Sequence, residues 1–355
     1  MMERVLMKGN EAIAEAAIMA GCRHFFGYPI TPQTEVAAYM SKRLPKLGGV
    51  YLQAESEVAS INMVLGASAA GVRAMTSSSS PGISLMSEGI SYMAGCDLPA
   101  VIVNIQRGGP GLGGIQPSQA DYFQATRSVG HGDFHVIALS PNCVQEMSDL
   151  TQSAFDLADI YRCPVMILGD GILGQMMEPV ELRRIPEREL PAKDWITSGT
   201  AGKRGHNIVN SLILKPEALE QSNFDRFDRY KLIEESEALC EEYMTDDADI
   251  VLAAYGAASR ISKNAVLAAR ARGIKAGLLR PLTLWPFPKK NFAAAAAYAQ
   301  AFISVEMSMG QMIEDVKLAT ECKKPVALCA RTGGMVHSPD EILAKIISVN
   351  GGNYN

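Results

Sequence analysis

The chain has 355 residues, 48% of them hydrophobic, enough for two domains of ordinary size with sizeable cores. Its net charge of −5 comes from interspersed acids and bases with no basic stripe to neutralise phosphates, so nucleic acid is not an expected partner. No uncharged apolar run approaches a bilayer span, and Met1-Met2-Glu3-Arg4-Val5 lacks the pattern of a secretion signal, so no membrane partner and a cytoplasmic location are expected.

Up to about residue 180, helical periods alternate with short runs rich in β-branched and aromatic residues. Strands are predicted at 25–27, 50–52, 74–78, 100–105, 135–139 and 164–168. Helices are predicted between them at 10–20, 32–42, 57–70, 81–94 and 144–159. Such alternation implies an α/β fold with a doubly wound parallel sheet, covered on both faces. A polar, proline-bearing segment follows, with a charge-rich helix ending near Tyr243, and it reads as a linker or arm over 181–246. Alternation then resumes, with strands at 250–254, 275–279, 301–305 and 326–329. Helices are predicted at 258–272, after Pro288, at 311–320 and from Asp340. The expected organisation is thus a first α/β domain over 1–180, the arm, and a smaller α/β domain over 247–355.

In an open parallel sheet, ligands bind beyond the carboxyl ends of the strands. At the first such end, Tyr28-Pro29-Ile30-Thr31-Pro32 places Thr31 as an N-cap and Pro32 as the first helical residue. This arrangement also serves as a plain cap. The third strand ends in Ser77-Ser78-Ser79-Ser80-Pro81-Gly82, which repeats the hydroxyl cap and first-turn proline. The fourth ends at Arg107, the only charge from Leu98 to Ala120, followed by Gly108-Gly109-Pro110-Gly111. A guanidinium held there suits a carboxylate, although a surface arginine is the plainer reading. Glu55-Ser56-Glu57 opens a helix with no further charge until Arg73. Its small residues suit close packing, with a second subunit for instance, which would carry one glutamate into a desolvated interface. Both glutamates could instead serve the helix dipole. Together, two helix N-termini, an arginine and a buried glutamate suit a small anion and a cofactor with a protonatable ring.

At these residues the sequence resembles the α subunit of the thiamine diphosphate-dependent 2-oxoacid:ferredoxin oxidoreductases. The motifs are Gly9-Asn10-Glu11-Ala12, Tyr28-Pro29-Ile30-Thr31-Pro32, Glu55-Ser56-Glu57, Ser80-Pro81-Gly82-Ile83, Val103-Asn104-Ile105-Gln106-Arg107-Gly108-Gly109-Pro110 and Val305-Glu306-Met307-Ser308-Met309-Gly310-Gln311. The resemblance implies a pyrimidine-binding first domain and a transketolase C-terminal-like second domain, to which no catalytic residue is assigned. It implies that Glu57 hydrogen-bonds the aminopyrimidine ring and promotes loss of the thiazolium proton. It also implies that Thr31 and Arg107 contact the oxoacid, Arg107 at its carboxylate, and that Pro29 and Ser80 join Glu57 in binding the cofactor. The implied reaction is oxidative decarboxylation of a 2-oxoacid with CoA and ferredoxin. The run from Gly111 to Asp121 looks more like the branched-chain (3-methyl-2-oxobutanoate) type than the 2-oxoglutarate type, with pyruvate a further alternative.

No metal site is expected on this chain. Gly169-Asp170-Gly171 mimics the start of a diphosphate-Mg²⁺ motif, but the next asparagines are Asn207 and Asn210, too far along, so it reads as a strand-end turn. In His131-Gly132-Asp133-Phe134-His135, the glycine and the strand that follows spoil a zinc-binding helix face. The seven cysteines are scattered, and six residues intervene between the nearest pair, Cys322 and Cys329, a spacing unlike that of cluster ligands. A β subunit is therefore expected to carry the diphosphate and Mg²⁺ site and a [4Fe-4S] cluster, with small ferredoxin-like subunits as further partners. The helix after Glu57 is the expected seam.

Overall fold

A computed structural model describes residues 4–127, 129–186 and 188–354. Met1-Met2-Glu3, on which the reading of the chain's start partly rests, lies outside the described residues. In chain order, β1 (Arg4–Lys8) leads into α1 (Gly9–Met19), then β2 (His24–Gly27), α2 (Thr34–Arg43), β3 (Val50–Gln53) and α3 (Glu57–Ala69). Next come β4 (Ala74–Ser78), α4 (Ser80–Gly95), β5 (Ala100–Gln106), the short α5 (Tyr122–Thr126) and β6 (Ile137–Leu139). Then follow α6 (Val144–Tyr161), β7 (Pro164–Asp170), α7 (Gly171–Gln175) and β8 (Met177–Glu181). An irregular stretch reaches α8 (Pro216–Ser236), followed by β9 (Cys240–Tyr243), β10 (Ile250–Ala253), α9 (Gly256–Arg270), β11 (Ala276–Pro281) and β12 (Thr283–Trp285). The chain finishes with α10 (Lys289–Tyr298), β13 (Ala301–Glu306), α11 (Met312–Ala319), β14 (Val326–Ala330) and α12 (Pro339–Asn350).

The first sheet has the order β12-β6-β7-β5-β4-β2-β3, and the second β14-β13-β10-β11-β9. Pairing is parallel except at one edge of each, where β12 runs antiparallel to β6 and β9 antiparallel to β11. This is the doubly wound α/β architecture expected from the alternation. The central strands β4, β5 and β7 are buried along their whole length because both faces are covered. In β10, Val251 and Ala253 point into the core shared with the first sheet, while Ile250 and Leu252 pack in the second core with Ile303, Leu278 and Ile346.

Several short elements depart from expectation. The charge-rich helix expected to end near Tyr243 ends at Ser236, and Cys240–Tyr243 form a strand of the second sheet. Thr283–Trp285 leave the second sheet and join the edge of the first. Arg4–Lys8 pair with Met177–Glu181 in a separate antiparallel ribbon. The strand expected from His135 starts at Ile137, because His135 stacks on Trp285 with ring centroids 4.5 Å apart. Among the described residues no helix is long and apolar enough to cross a membrane.

The small-residue helix α3 has a close partner within the chain. Its Ile61 lies against Gly89 of α4, where an added Cβ would stand 2.4 Å from Ile61 Cγ2. A β-branched side chain one bond from its backbone cannot swing away. Gly89→Ala should therefore push α3 off α4 and lower stability by about 1–3 kcal/mol, the usual cost of overpacking, read as a lower urea midpoint.

Candidate active site

The winding of the first sheet reverses between β2 and β4: the chain moves outward from β2 to β3 and the opposite way from β4 to β5. Ligands enter open α/β sheets at such a point, outside the carboxyl ends. Tyr28-Pro29-Ile30-Thr31 leaves β2 here, Ser79-Ser80 leaves β4, and the turn after neighbouring β3 delivers Glu57. Most of the expected residues therefore converge beyond the carboxyl ends of neighbouring strands.

The Tyr28–Gln33 turn differs from its expectation. Helix α2 begins at Thr34, with Gln33 in the N-cap position and no side-chain cap, so Thr31 is not an N-cap and Pro32 is not the first helical residue. The reason is competition for the Pro32 carbonyl. It accepts from Asn10 Nδ2 at 2.8 Å and Gln175 Nε2 at 3.2 Å. The buried Gln33 completes the anchor, its Nε2 donating to Tyr28 O at 3.3 Å and its Oε1 accepting from Ser77 Oγ at 2.6 Å. Asn10 Nδ2 also bonds Glu35 Oε2 at 2.9 Å, and Lys8 Nζ lies 3.0 Å from Glu35 Oε1. Pro29 and Thr31 remain exposed on the outer side of this braced turn.

Glu57 opens α3 as expected, behind Ser56, whose hydroxyl caps the helix by accepting from Ala59 N at 3.1 Å. Of the two glutamates, Glu55 is exposed and Glu57 is buried, 5% accessible. Among the described residues no hydrogen bond or ion pair reaches the Glu57 carboxylate. Gly82 makes room for it: an added Cβ there would stand 2.7 Å from Glu57 Oε1 and 2.0 Å from Ser78 Oγ. The hydroxyl cap expected at α4 is absent. Ser79 occupies the N-cap without a side-chain bond, and the buried hydroxyls of Ser78 and Ser79 have no partner. Buried polar groups left unmatched are costly, and clustered ones mark a place where something else binds.

Arg107 is likewise buried, and among the described residues it forms no ion pair. Its Nη1 donates to Thr31 O at 3.0 Å and its Nη2 to Leu112 O at 3.2 Å, while Nε has no partner. The arginine thus ties the β5 end to the turn after β2, through the Thr31 backbone. Ser80, at the start of α4, donates from Oγ to Asp121 Oδ2 at 2.6 Å and accepts from Arg107 N at 3.0 Å. Beyond lies a cleft of about 660 Å³, with Ser80, Pro81, Gly108 to Gly111, Asp121 and Gln124 on one side and Met309, Gln311 and Thr332 on the other.

The segment from Ser118 to Phe123 clasps the second domain to this cleft. Gln119 exchanges backbone and side-chain bonds with Met307, at 2.9 and 3.0 Å, and its Nε2 donates to Tyr255 O at 2.8 Å. Gln311 donates to Ala120 O and accepts from Phe123 N, both at 2.7 Å. Glu306 steadies Gln311 from below, accepting from Ser304, Ser308 and the N–H groups of Gln311, Met312 and Ile313. These glutamines, with Asn104 and Asp121, were not singled out as site residues. Their run was visible, but the burial that makes a polar side chain informative was not.

Asp170, in the Gly-Asp-Gly turn, has both oxygens engaged. Oδ1 accepts from Ile172 N and Leu173 N at 3.0 and 3.1 Å, and Oδ2 accepts from Ala257 N at 3.2 Å. Burial pushes its carboxyl up to about 6, against the pull of these donors. It caps α7 and joins the second domain. Among the described residues no group of three or more His, Cys, Asp or Glu side chains is placed to hold a metal.

Asn10→Ala should release the Pro32 carbonyl and Glu35 from a fully buried donor. A cost of about 1–3 kcal/mol is expected in urea unfolding. Faster hydrogen exchange at the Gln33 and Val36 amides should accompany it.

The profile described as pyruvate flavodoxin/ferredoxin oxidoreductase, thiamine diphosphate-binding, matches residues 15–226, and that of the pyruvate:ferredoxin oxidoreductase core domain II matches residues 248–342. The chain is 51% identical to the ketoisovalerate oxidoreductase subunit VorB of Methanothermobacter marburgensis, over 98% of each chain. It is 41% identical to the 2-oxoglutarate synthase subunit KorA of Methanothermobacter thermautotrophicus, over 99% of this chain and 100% of that one. Among solved structures, 2-oxoglutarate:ferredoxin oxidoreductase from Magnetococcus marinus, with 2-oxoglutarate, coenzyme A and succinyl-CoA bound, superposes with a TM-score of 0.86 at 28% identity. That match covers 98% of this chain and 65% of the other. These relatives are named as subunits or as whole oxidoreductases, and the chain belongs to the thiamine diphosphate-binding pyruvate flavodoxin/ferredoxin oxidoreductase family.

Proposed function

We propose that this chain is the α subunit of a 2-oxoacid:ferredoxin oxidoreductase that converts 3-methyl-2-oxobutanoate, CoA and oxidised ferredoxin to an acyl-CoA, CO2 and reduced ferredoxin. The observation that carries the reading is the buried Glu57 carboxylate without a donor, beside the unpartnered hydroxyls of Ser78 and Ser79 at the point where the sheet reverses. A buried acceptor beside two unpartnered hydroxyls suits the hydrogen-bonding groups of an aminopyrimidine, so the residues present fit the pyrimidine half of thiamine diphosphate. When bound, that cofactor supplies the nucleophilic carbon and the electron sink for decarboxylation.

The chain's own part is binding, orientation and proton placement. Glu57 would accept from the pyrimidine ring nitrogen and keep a proton there, with Ser80, which lines the cleft, and the exposed Pro29 as further cofactor contacts. Arg107, buried without an acid partner, holds the oxoacid carboxylate by charge-assisted hydrogen bonds. Thr31, whose carbonyl already fixes Arg107 Nη1, offers its exposed hydroxyl to the keto group. The cleft adds neutral side chains and Asp121, which suits a branched apolar tail better than a second carboxylate. The higher identity to the ketoisovalerate relative supports the same choice over 2-oxoglutarate.

A β subunit would supply the diphosphate and Mg²⁺ site and a [4Fe-4S] cluster, with ferredoxin-like subunits relaying electrons. It would dock over α3, where an added Cβ on Gly66 meets nothing within 4 Å and Val58 is exposed.

The isolated chain should turn over nothing, and co-expression with the β subunit should restore ferredoxin reduction. Robust activity of the chain alone would rule out a shared site. In the assembled enzyme Glu57→Gln should lower kcat by about 10²-fold or more. Arg107→Lys should raise the oxoacid KM about tenfold, through loss of bidentate geometry. Thr31→Val should raise KM or lower kcat with almost no change in melting temperature, because no hydrogen bond within the described residues uses its hydroxyl.

A further inference from the structure

The cleft holds one acidic side chain that this chemistry does not use. Asp121 is largely buried, and burial raises its carboxyl above the ordinary aspartate range despite hydrogen bonds from Ser80 and Asn104. A group kept there against desolvation needs a task.

Its bonds form a closed set. Ser80 Oγ lies 2.6 Å from Asp121 Oδ2, 3.0 Å from Arg107 N and 3.3 Å from Arg107 O. A hydroxyl has one proton to give, and the nearer carboxylate oxygen outcompetes the carbonyl for it. The lone pairs of Oγ are then directed to the Arg107 N–H. Asn104 locks the arrangement, donating from Nδ2 to Asp121 Oδ2 at 2.9 Å and accepting from Ser80 N at 3.1 Å. Asp121 is held in turn by its N–H on Gln106 Oε1 at 3.1 Å, and its neighbours Ala120 and Phe123 are held by Gln311 of the second domain.

We propose that Asp121 is a positioning residue for the oxoacid: through Ser80 Oγ it fixes the backbone from which the Arg107 guanidinium reaches the substrate carboxylate. The inference rests on the assignment of Arg107 to that carboxylate. It gives the second domain a further part in substrate binding, because Gln311, and Met307 and Tyr255 through Gln119, hold the segment that carries Asp121.

The test uses the enzyme assembled with its partner subunit, varying 3-methyl-2-oxobutanoate and CoA separately. Asp121→Ala and Ser80→Ala should each raise the oxoacid KM about fivefold or more, with the CoA KM within about twofold of its starting value. The double variant should be no worse than the poorer single one, because both remove the same link. Asp121→Asn, whose amide oxygen still accepts from Ser80, should recover most of the loss. An unchanged oxoacid KM in Asp121→Ala, or additive effects, would overturn the proposal. So would an Asp121→Asn variant as impaired as Asp121→Ala and losing kcat, which would mean that the carboxyl handles a proton. Arg107→Lys, run alongside, separates two failures. If it leaves the oxoacid KM unchanged, the Arg107 assignment itself falls; if it raises KM while Asp121→Ala does not, only the role of Asp121 falls. Should Asp121→Ala fail to assemble, Ser80→Ala, which removes a single oxygen, carries the comparison.

Discussion

The reversal of winding between β2 and β4 is the constraint on which the candidate site depends. Parallel strands end on the same side, and their helices diverge where the order turns back, leaving a crevice lined by backbone ends and helix N-termini. The turn after β2, the Ser79-Ser80 junction and the start of α3 meet at that crevice because the order β5-β4-β2-β3 places three strand ends side by side. Arg107 then spans the gap, donating to the Thr31 carbonyl across the sheet edge.

A crevice of this kind would fill with side chains or close unless it were braced. Gly82 admits the Glu57 carboxylate and the Ser78 hydroxyl to the crevice wall, where they occupy space that any other residue's Cβ would claim. Polar anchors keep it from drifting. The Pro32 carbonyl is held by Asn10 and Gln175, Gln33 joins Tyr28 to Ser77, and Gln119 and Gln311 tie the cleft rim to the second domain. The four glutamines are matched donor for acceptor and Asn10 only as a donor, its Oδ1 lacking a partner, whereas Glu57, Ser78, Ser79 and Arg107 Nε are left open at the candidate site.

Much of the scaffold was legible in the chain. The long apolar strands and amphipathic helices of both sheets lie within a few residues of their predicted positions, since period and composition report directly on two-sided burial. Elements that depend on a distant partner were not legible: β9, β12 and the β1-β8 ribbon are short and only become strands by pairing with segments far along the chain. The same limit governs the site. Glu57 and Arg107 stood out as charges in uncharged stretches, and both are buried. Thr31 was read as a helix cap on local grounds, and that local rule failed because Asn10 and Gln175, 22 and 143 residues from Pro32, take its carbonyl first.

What the sequence by itself determined is the α/β class, the order of the main elements and the set of side chains able to do chemistry. These follow from periodicity, from glycine and proline positions and from isolated charges, all of which act over a few residues. Only the tertiary structure decided which polar groups are satisfied. Whether a serine hydroxyl is capped, a carboxylate open or an asparagine structural depends on atoms brought together by packing two sheets, and no local spacing encodes that pairing.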